Sequence, residues 1–355
     1  AIHPHCGNAR TRRKFCMNPH LKPALGNNLL LRTDSYKASH WLQYPPGAEH
    51  AFSYIESRGG RYSHSLFFGL QAYLREYLST PITLADVAEA KAIYAAHGEP
   101  FNEAGWTRLV EKHGGLLPLR IRAVPEGMVL PVRNVLLTVE NTDPEFFWLT
   151  SFIETELLRA VWYPTTVATQ SATAKSIIAR YLHATSDCAE QELPFKLHDF
   201  GARGVSSLES AALGGMAHLV NFMGTDTVSA LLAARRYYDC EMAGFSIPAA
   251  EHSTITSWGR EHEADAYRNM LRQFARPGSV VAVVSDSYDI FHACDAIWGQ
   301  QLHDAVIASG ATVVIRPDSG DPAITVPQMV QILAQRFGYT TNSKGFKVLQ
   351  YVRII

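Results

Sequence analysis

Five polar clusters, each closing a short apolar run, carry the residues best equipped for chemistry. They are His198-Asp-Phe-Gly-Ala-Arg203, Gly224-Thr-Asp226, Glu251-His252-Ser253, Ser285-Asp-Ser-Tyr-Asp289 and Arg316-Pro-Asp-Ser-Gly320. Between them they offer the arginines Arg203 and Arg316, the histidines His198 and His252, and the acids Asp199, Asp226, Asp289 and Asp318. An arginine aimed into a cleft binds phosphate or carboxylate through two parallel hydrogen bonds. Acids beside it can hold Mg2+ or the hydroxyls of a sugar. The combination suits a phosphorylated sugar. Ser253, Thr254, Asp286 and Ser319 are also types that cap helices, so any one cluster alone reads equally well as a cap or turn. Five in succession exceed what capping requires, and the repetition points to an enzyme site. Other chemistries lack their motifs: there is no G-x-S-x-G elbow, Walker A loop or G-x-G-x-x-G fingerprint. Glu261-His-Glu-Ala-Asp265 lacks the second histidine of a zinc protease and reads as the charged face of a helix.

The clusters recur about every 25 to 35 residues, the length of one strand–helix unit in a parallel α/β fold. In such folds ligands bind where the strands end and the loops lead into helices. Lys196-Leu197 and the runs 218–222, 245–250, 280–284 and 311–315 are the expected strands. The fold class is therefore α/β: an irregular, TIM-like barrel, preceded by an N-terminal α+β domain. In that earlier region 28–33 reads as a short strand, and 124–131 with 134–139 as paired strands. Helical spacing covers 146–162 and again 168–182. The expected division is a basic leader over 1–26, an α+β domain over 27–190 and a catalytic domain over 191–355. The final apolar run, 348–355, stops without a turn or polar tail, so a truncated barrel is expected.

Composition excludes several classes. The 355 residues are 47% hydrophobic and 18% charged with a net charge of -1, which is ample for a core and argues against a broad nucleic-acid-binding face. No apolar run approaches the roughly 18 residues that span a bilayer. The leader has basic residues but no apolar core, so it is no secretory signal. The five cysteines are scattered, as expected of reduced thiols in the cytoplasm.

Eight motifs, in unbroken order from about residue 28 to 355, resemble the nicotinamide phosphoribosyltransferases, type II phosphoribosyltransferases. They are Thr33-Asp-Ser-Tyr-Lys37, Gln43-Tyr-Pro-Pro46, Lys196-Leu-His-Asp-Phe-Gly201, Arg203-Gly-Val-Ser-Ser207, Gly224-Thr-Asp-Thr227, Pro248-Ala-Ala-Glu-His-Ser-Thr254, Ser285-Asp-Ser-Tyr-Asp289 and Ile315-Arg-Pro-Asp-Ser-Gly320. The resemblance implies transfer of phosphoribose from phosphoribosyl pyrophosphate to nicotinamide, with Mg2+, and with ATP assisting through a phosphorylated His252. It implies that Asp289 and Asp318 contact this histidine and the ribose. Phe200 and Tyr36 would sandwich the pyridine ring, the tyrosine coming from the partner subunit of a homodimer. Arg203 and Arg316 would contact phosphate and base, and Ser285 would lie in the pocket. Asp226 would accept a hydrogen bond from the carboxamide. Arg58 matches a phosphate-binding arginine donated across the dimer. No metal ligands are assigned. The alternatives are a nicotinate phosphoribosyltransferase and a non-catalytic relative.

Overall fold

The computed structural model describes residues 28–355, so the expected leader lies outside the described residues. Two compact units emerge, each discontinuous in sequence. Among the described residues the first comprises 28–53, Tyr77–Ile121 and Val139–Glu156; the second comprises Tyr54–Glu76, Arg122–Thr138 and Leu157–Ile355. All of 191–355 therefore falls in the second unit, together with the preceding 157–190 and two earlier excursions of the chain.

In the first unit an aromatic core forms around Trp106, which meets Trp148 and Phe152 edge-on at 4.7 and 4.9 Å between ring centres. Helix Leu84–His97 starts at a capping box, in which Thr83 and Asp86 exchange side-chain-to-backbone hydrogen bonds. Residues 28–33 are not the expected strand. Asn28 accepts a hydrogen bond from the Leu30 N–H, and this cap starts a 3-10 turn, Leu29–Leu31, which buries Leu30 completely. Tyr36 lies exposed in a second such stretch, Ser35–Leu42.

In the second unit, Val129–Pro131 pairs antiparallel with His64–Leu66 rather than with the strand that follows it, Val135–Asn141. The two expected helices merge into one, Glu154–Thr185, which runs through Pro164 without a break. Pro164 packs where Gly69 leaves room: a Cβ at Gly69 would lie 2.6 Å from Pro164 Cγ and 2.7 Å from the Ala160 carbonyl oxygen. Gly69 also has φ 110°, a region that glycine alone enters cheaply. Gly69→Ala is thus expected to destabilise the unit by about 3 kcal/mol through strain and overpacking. Chemical denaturation should show a lower midpoint with unchanged slope, and an unchanged midpoint would refute the packing argument.

The chemistry-bearing clusters sit on a parallel wall in the second unit. His198–Asp199 pairs with Gly224–Thr225, and Gly224 bridges to Phe245. Ala249, four residues on, bridges to Ala282 in strand Val280–Val284. That strand pairs with Thr312–Arg316, which pairs in turn with Val352–Ile354, all parallel. The expected run 218–222 is not a strand, because helix Leu208–Leu219 extends into it and leaves only Gly224–Thr225 in the wall. Valines 281, 283 and 284 are fully buried, as in a parallel strand covered on both faces. No ladder joins Val352–Ile354 back to His198–Asp199 among the described residues. The fold is mixed α/β with an open wall, so the expected barrel is not closed.

Cys188, Cys240 and Cys294 are free thiols. Burial, with Asp289 and Asp295 nearby, pushes the Cys294 thiol up to about 12, which leaves it unreactive. Among the described residues, no helix is long and apolar enough to cross a membrane.

Candidate active site

Parallel register brings the strand ends to one rim, and two groups of side chains gather there. The first group lies at His198–Asp199, Gly224–Thr225 and Phe245. His198 Nε2 is 3.0 Å from Asp226 Oδ1, and the Ser246 hydroxyl donates to the same oxygen. Asp226 Oδ2 has no partner among the described residues. Phe200 stacks on the His198 ring with centres 4.5 Å apart, and its own ring is half exposed. The stack needs a close approach of backbone behind the imidazole. Gly224, register partner of His198, supplies it, since a Cβ there would lie 2.7 Å from His198 Nδ1. A flat aromatic face beside an unpaired carboxylate oxygen suits a planar ring bearing a hydrogen-bond donor.

The second group lies at Ala249, Val280–Val284 and Thr312–Arg316. His252 opens the helix His252–Thr256, and its Nε2 is 3.0 Å from Asp286 Oδ1. Its Nδ1 is 3.8 Å from Asp318 Oδ2, beyond hydrogen-bonding distance. The Asp286 carboxylate is buried, with 5% of the side chain exposed. Burial works to raise its pKa, but the Ser319 hydroxyl, the Asp318 N–H and the His252 ring outweigh burial and hold it below the usual range. An ionised Asp286 fixes the imidazole with a proton on Nε2 and a lone pair on Nδ1, the nitrogen facing Asp318. Arg316 Nη2 is 4.0 Å from Asp318 Oδ2. The Arg316 Nε is buried and has no hydrogen-bond partner among the described residues. A buried guanidinium N–H left unpaired is costly, and an anionic ligand would relieve the cost.

The structure therefore brings together His252, Asp318 and Arg316, and separately Phe200 and Asp226. The contact with His252 expected of Asp289 is made by Asp286, which sequence reasoning passed over. Asp289 instead caps the next helical turn, accepting from the Phe291 and His292 N–H groups at 2.9 and 3.0 Å. Ser285, expected in the pocket, is fully buried: its hydroxyl donates to the Val283 carbonyl and accepts from the Trp298 indole N–H. Arg203 ends the exposed turn Gly201–Arg203, and Arg58 is exposed in the loop after strand Phe52–Glu56. Tyr36 belongs to the first unit. Glu261–Asp265 leads into helix Glu263–Phe274, where His262 pairs with Asp265 as a surface contact. No group of three or more His, Cys, Asp or Glu capable of holding a metal occurs among the described residues.

Residues 28–121 match the model of the nicotinamide phosphoribosyltransferase N-terminal domain, and residues 195–355 match that of the nicotinate phosphoribosyltransferase (NAPRTase) family. Human nicotinic acid phosphoribosyltransferase superposes with a TM-score of 0.57 at 19% identity, over 86% of this chain and 64% of its own. Nicotinate-nucleotide pyrophosphorylase from Pyrococcus furiosus gives 0.57 at 15% identity, over 94% of this chain and 68% of its own. At these identities the two structures speak to fold alone. A nicotinamide phosphoribosyltransferase of Acinetobacter baylyi is 33% identical over 91% of this chain and 70% of its own length. Another, of Xanthomonas campestris, is 65% identical over 93% of this chain and 70% of its own length. With identity of that order over most of both sequences, the chain belongs to the nicotinamide phosphoribosyltransferase family.

Proposed function

We propose that the protein joins nicotinamide to the ribose C1 of phosphoribosyl pyrophosphate, releasing pyrophosphate and forming nicotinamide mononucleotide in NAD salvage. ATP hydrolysis assists through phosphorylation of His252. The observation that carries this reading is the pairing of a stacked aromatic and open carboxylate (Phe200, Asp226) with an oriented histidine (His252) along one rim.

In this reading Phe200 stacks on one face of the pyridine ring, and Tyr36 from a second copy of this chain covers the other. Asp226 Oδ2 accepts from the carboxamide NH2, which directs the ring nitrogen toward the ribose. Arg316 and Arg203, with Arg58 from the second copy, hold phosphate oxygens by charge-assisted hydrogen bonds. The C–O bond to pyrophosphate loosens, positive charge develops at C1, and Asp318 and Asp289 stabilise it through space and through the ribose hydroxyls. Separately, the Nδ1 lone pair of His252 attacks the γ-phosphorus of ATP. The bond to ADP breaks, and Asp286 stabilises the imidazolium as the N–P bond forms. Resident Mg2+ fits only loosely: the exposed Asp318 offers one carboxylate, and the substrate's pyrophosphate oxygens would complete the shell. When bound it would neutralise charge on the leaving pyrophosphate. A cytoplasmic homodimer accords with the free thiols and with the part assigned to Tyr36.

The test is mononucleotide formation from nicotinamide and from nicotinate in parallel, with phosphoribosyl pyrophosphate, Mg2+ and ATP, on the protein of the full reading frame. Strong preference for nicotinamide is expected. Preference for nicotinate would keep the chemistry and remove Asp226 as the selecting residue. Lack of turnover with both, together with ATP hydrolysis unchanged in His252→Ala, would favour a non-catalytic relative.

A further inference from the structure

The carboxylate behind His252 is shared between two loops, and the second loop carries a residue with no role so far. Asp286 Oδ1 meets His252 Nε2 at 3.0 Å, while its Oδ2 accepts from the Ser319 hydroxyl at 2.5 Å and the Asp318 N–H at 2.9 Å. Among the described residues nothing else holds Oδ2. We propose that Ser319 is a positioning residue for the phosphoacceptor: its hydroxyl clamps the far oxygen of Asp286, so that the near oxygen fixes the His252 ring with Nδ1 open. The proposal rests on the phosphohistidine reading above and deepens it.

Three features distinguish a clamp from an incidental contact. First, the Ser319 O–H can only donate to an ionised carboxylate, so the contact selects the charged form of Asp286. Second, both donors to Oδ2 come from the loop that follows Thr312–Arg316, the loop that also carries Asp318. The clamp therefore ties the histidine, its orienting acid and the acid facing Nδ1 into one unit. Third, the carboxylate is almost fully buried, so an unmet Oδ2 lone pair would have little water to turn to. The charged and titratable groups around Asp286 are His252 from its helix, Asp318 and Arg316 from the neighbouring strand end, and Asp289 three residues on. Among them only His252 touches the carboxylate directly, and the other direct partners are the neutral donors of residues 318 and 319.

The expected size follows from the bond that is lost: a hydrogen bond to a charged group is worth roughly a factor of ten in an equilibrium.

The experiment compares Ser319→Ala, Ser319→Thr and the native protein of the full reading frame for kcat of ATP hydrolysis and for KM of nicotinamide. Ser319→Ala is expected to lower the ATPase kcat roughly tenfold, with the nicotinamide KM unchanged. Ser319→Thr, which keeps the hydroxyl, should restore the rate. Ser319 is exposed, so neither variant threatens the core. A native ATPase kcat in Ser319→Ala overturns the proposal, even if its melting temperature falls. So does a Ser319→Thr as impaired as Ser319→Ala. His252→Ala separates the two levels. If it retains ATP hydrolysis, the phosphohistidine reading falls and Ser319 with it. If it loses hydrolysis while Ser319→Ala hydrolyses ATP at the native rate, only the role of Ser319 falls.

Discussion

Asp286→Asn is expected to cut ATP hydrolysis roughly 10^3- to 10^4-fold, about as severely as His252→Ala, while leaving the fold intact. The size comes from what a wrongly protonated imidazole costs when it must act through a specific nitrogen. The cause lies in the two oxygens of Asp286. Oδ2 receives two donors, the Ser319 hydroxyl and the Asp318 N–H. In the asparagine variant the amide oxygen must take that position, because an NH2 there would face both donors. The NH2 is then aimed at His252 Nε2, 3.0 Å away in the native protein. A donor at that place makes Nε2 an acceptor and moves the ring proton to Nδ1, where the nucleophilic lone pair is required. The acid-labile phosphohistidine formed on incubation with ATP should vanish with the hydrolysis. Base binding should not change, since Phe200 and Asp226 are not in contact with Asp286. ATP hydrolysis within tenfold of native in Asp286→Asn would show that the tautomer is set by something else.

Asp286 also marks where sequence reasoning stops. His252 was legible because it closes one of five regularly spaced runs, and the runs themselves were legible as a parallel wall. Choosing between Asp286 and Asp289 required knowing where strand Val280–Val284 ends and which way the chain then turns. Both acids sit in Ser285-Asp-Ser-Tyr-Asp289, and either composition alone would serve. A register argument would have found the right one. Val280 pairs with Thr312 and Val284 with Arg316, so two residues further on Asp286 comes beside Asp318. Ser285 was placed in the pocket by resemblance alone; in the structure its hydroxyl meets the indole of Trp298, thirteen positions on, a partner that no local pattern announces. The unit boundaries were hidden by long-range pairing. His64–Leu66 finds its partner at Val129–Pro131, and no local pattern announces a ladder across so long a loop. The two expected helices, 146–162 and 168–182, are one because the interior of Glu154–Thr185 accommodates Pro164 beside a glycine.

Asp226→Asn is expected to lower the preference for nicotinamide over nicotinate, as a ratio of kcat/KM, by roughly 10^2-fold. Oδ1 of Asp226 already takes the Ser246 hydroxyl and His198 Nε2, leaving Oδ2 as the oxygen that faces a ligand. A carboxamide NH2 satisfies it, whereas a nicotinate carboxylate meets like charge. Such a juxtaposition costs several kcal/mol when partly desolvated, and at 1.4 kcal/mol per decade about 3 kcal/mol of it gives the stated factor. The asparagine variant does more than remove the repulsion. Two donors converge on the Oδ1 position, so the amide oxygen stays there and the NH2 replaces Oδ2. That puts a donor where the native protein has an acceptor: it now opposes the carboxamide NH2 and welcomes a carboxylate. Asp226→Ala, lacking both attraction and repulsion, should fall between the two, losing nicotinamide affinity without gaining much for nicotinate. The order native, alanine, asparagine in rising relative use of nicotinate is therefore the signature. An unchanged ratio in both variants would remove Asp226 from the specificity argument. An alanine variant that surpasses asparagine would mean that space, rather than the donor–acceptor pattern, selects the base. Phe200 supplies the control. It stacks on the ring regardless of the substituent, so Phe200→Ala should weaken both substrates alike and leave the ratio where it was.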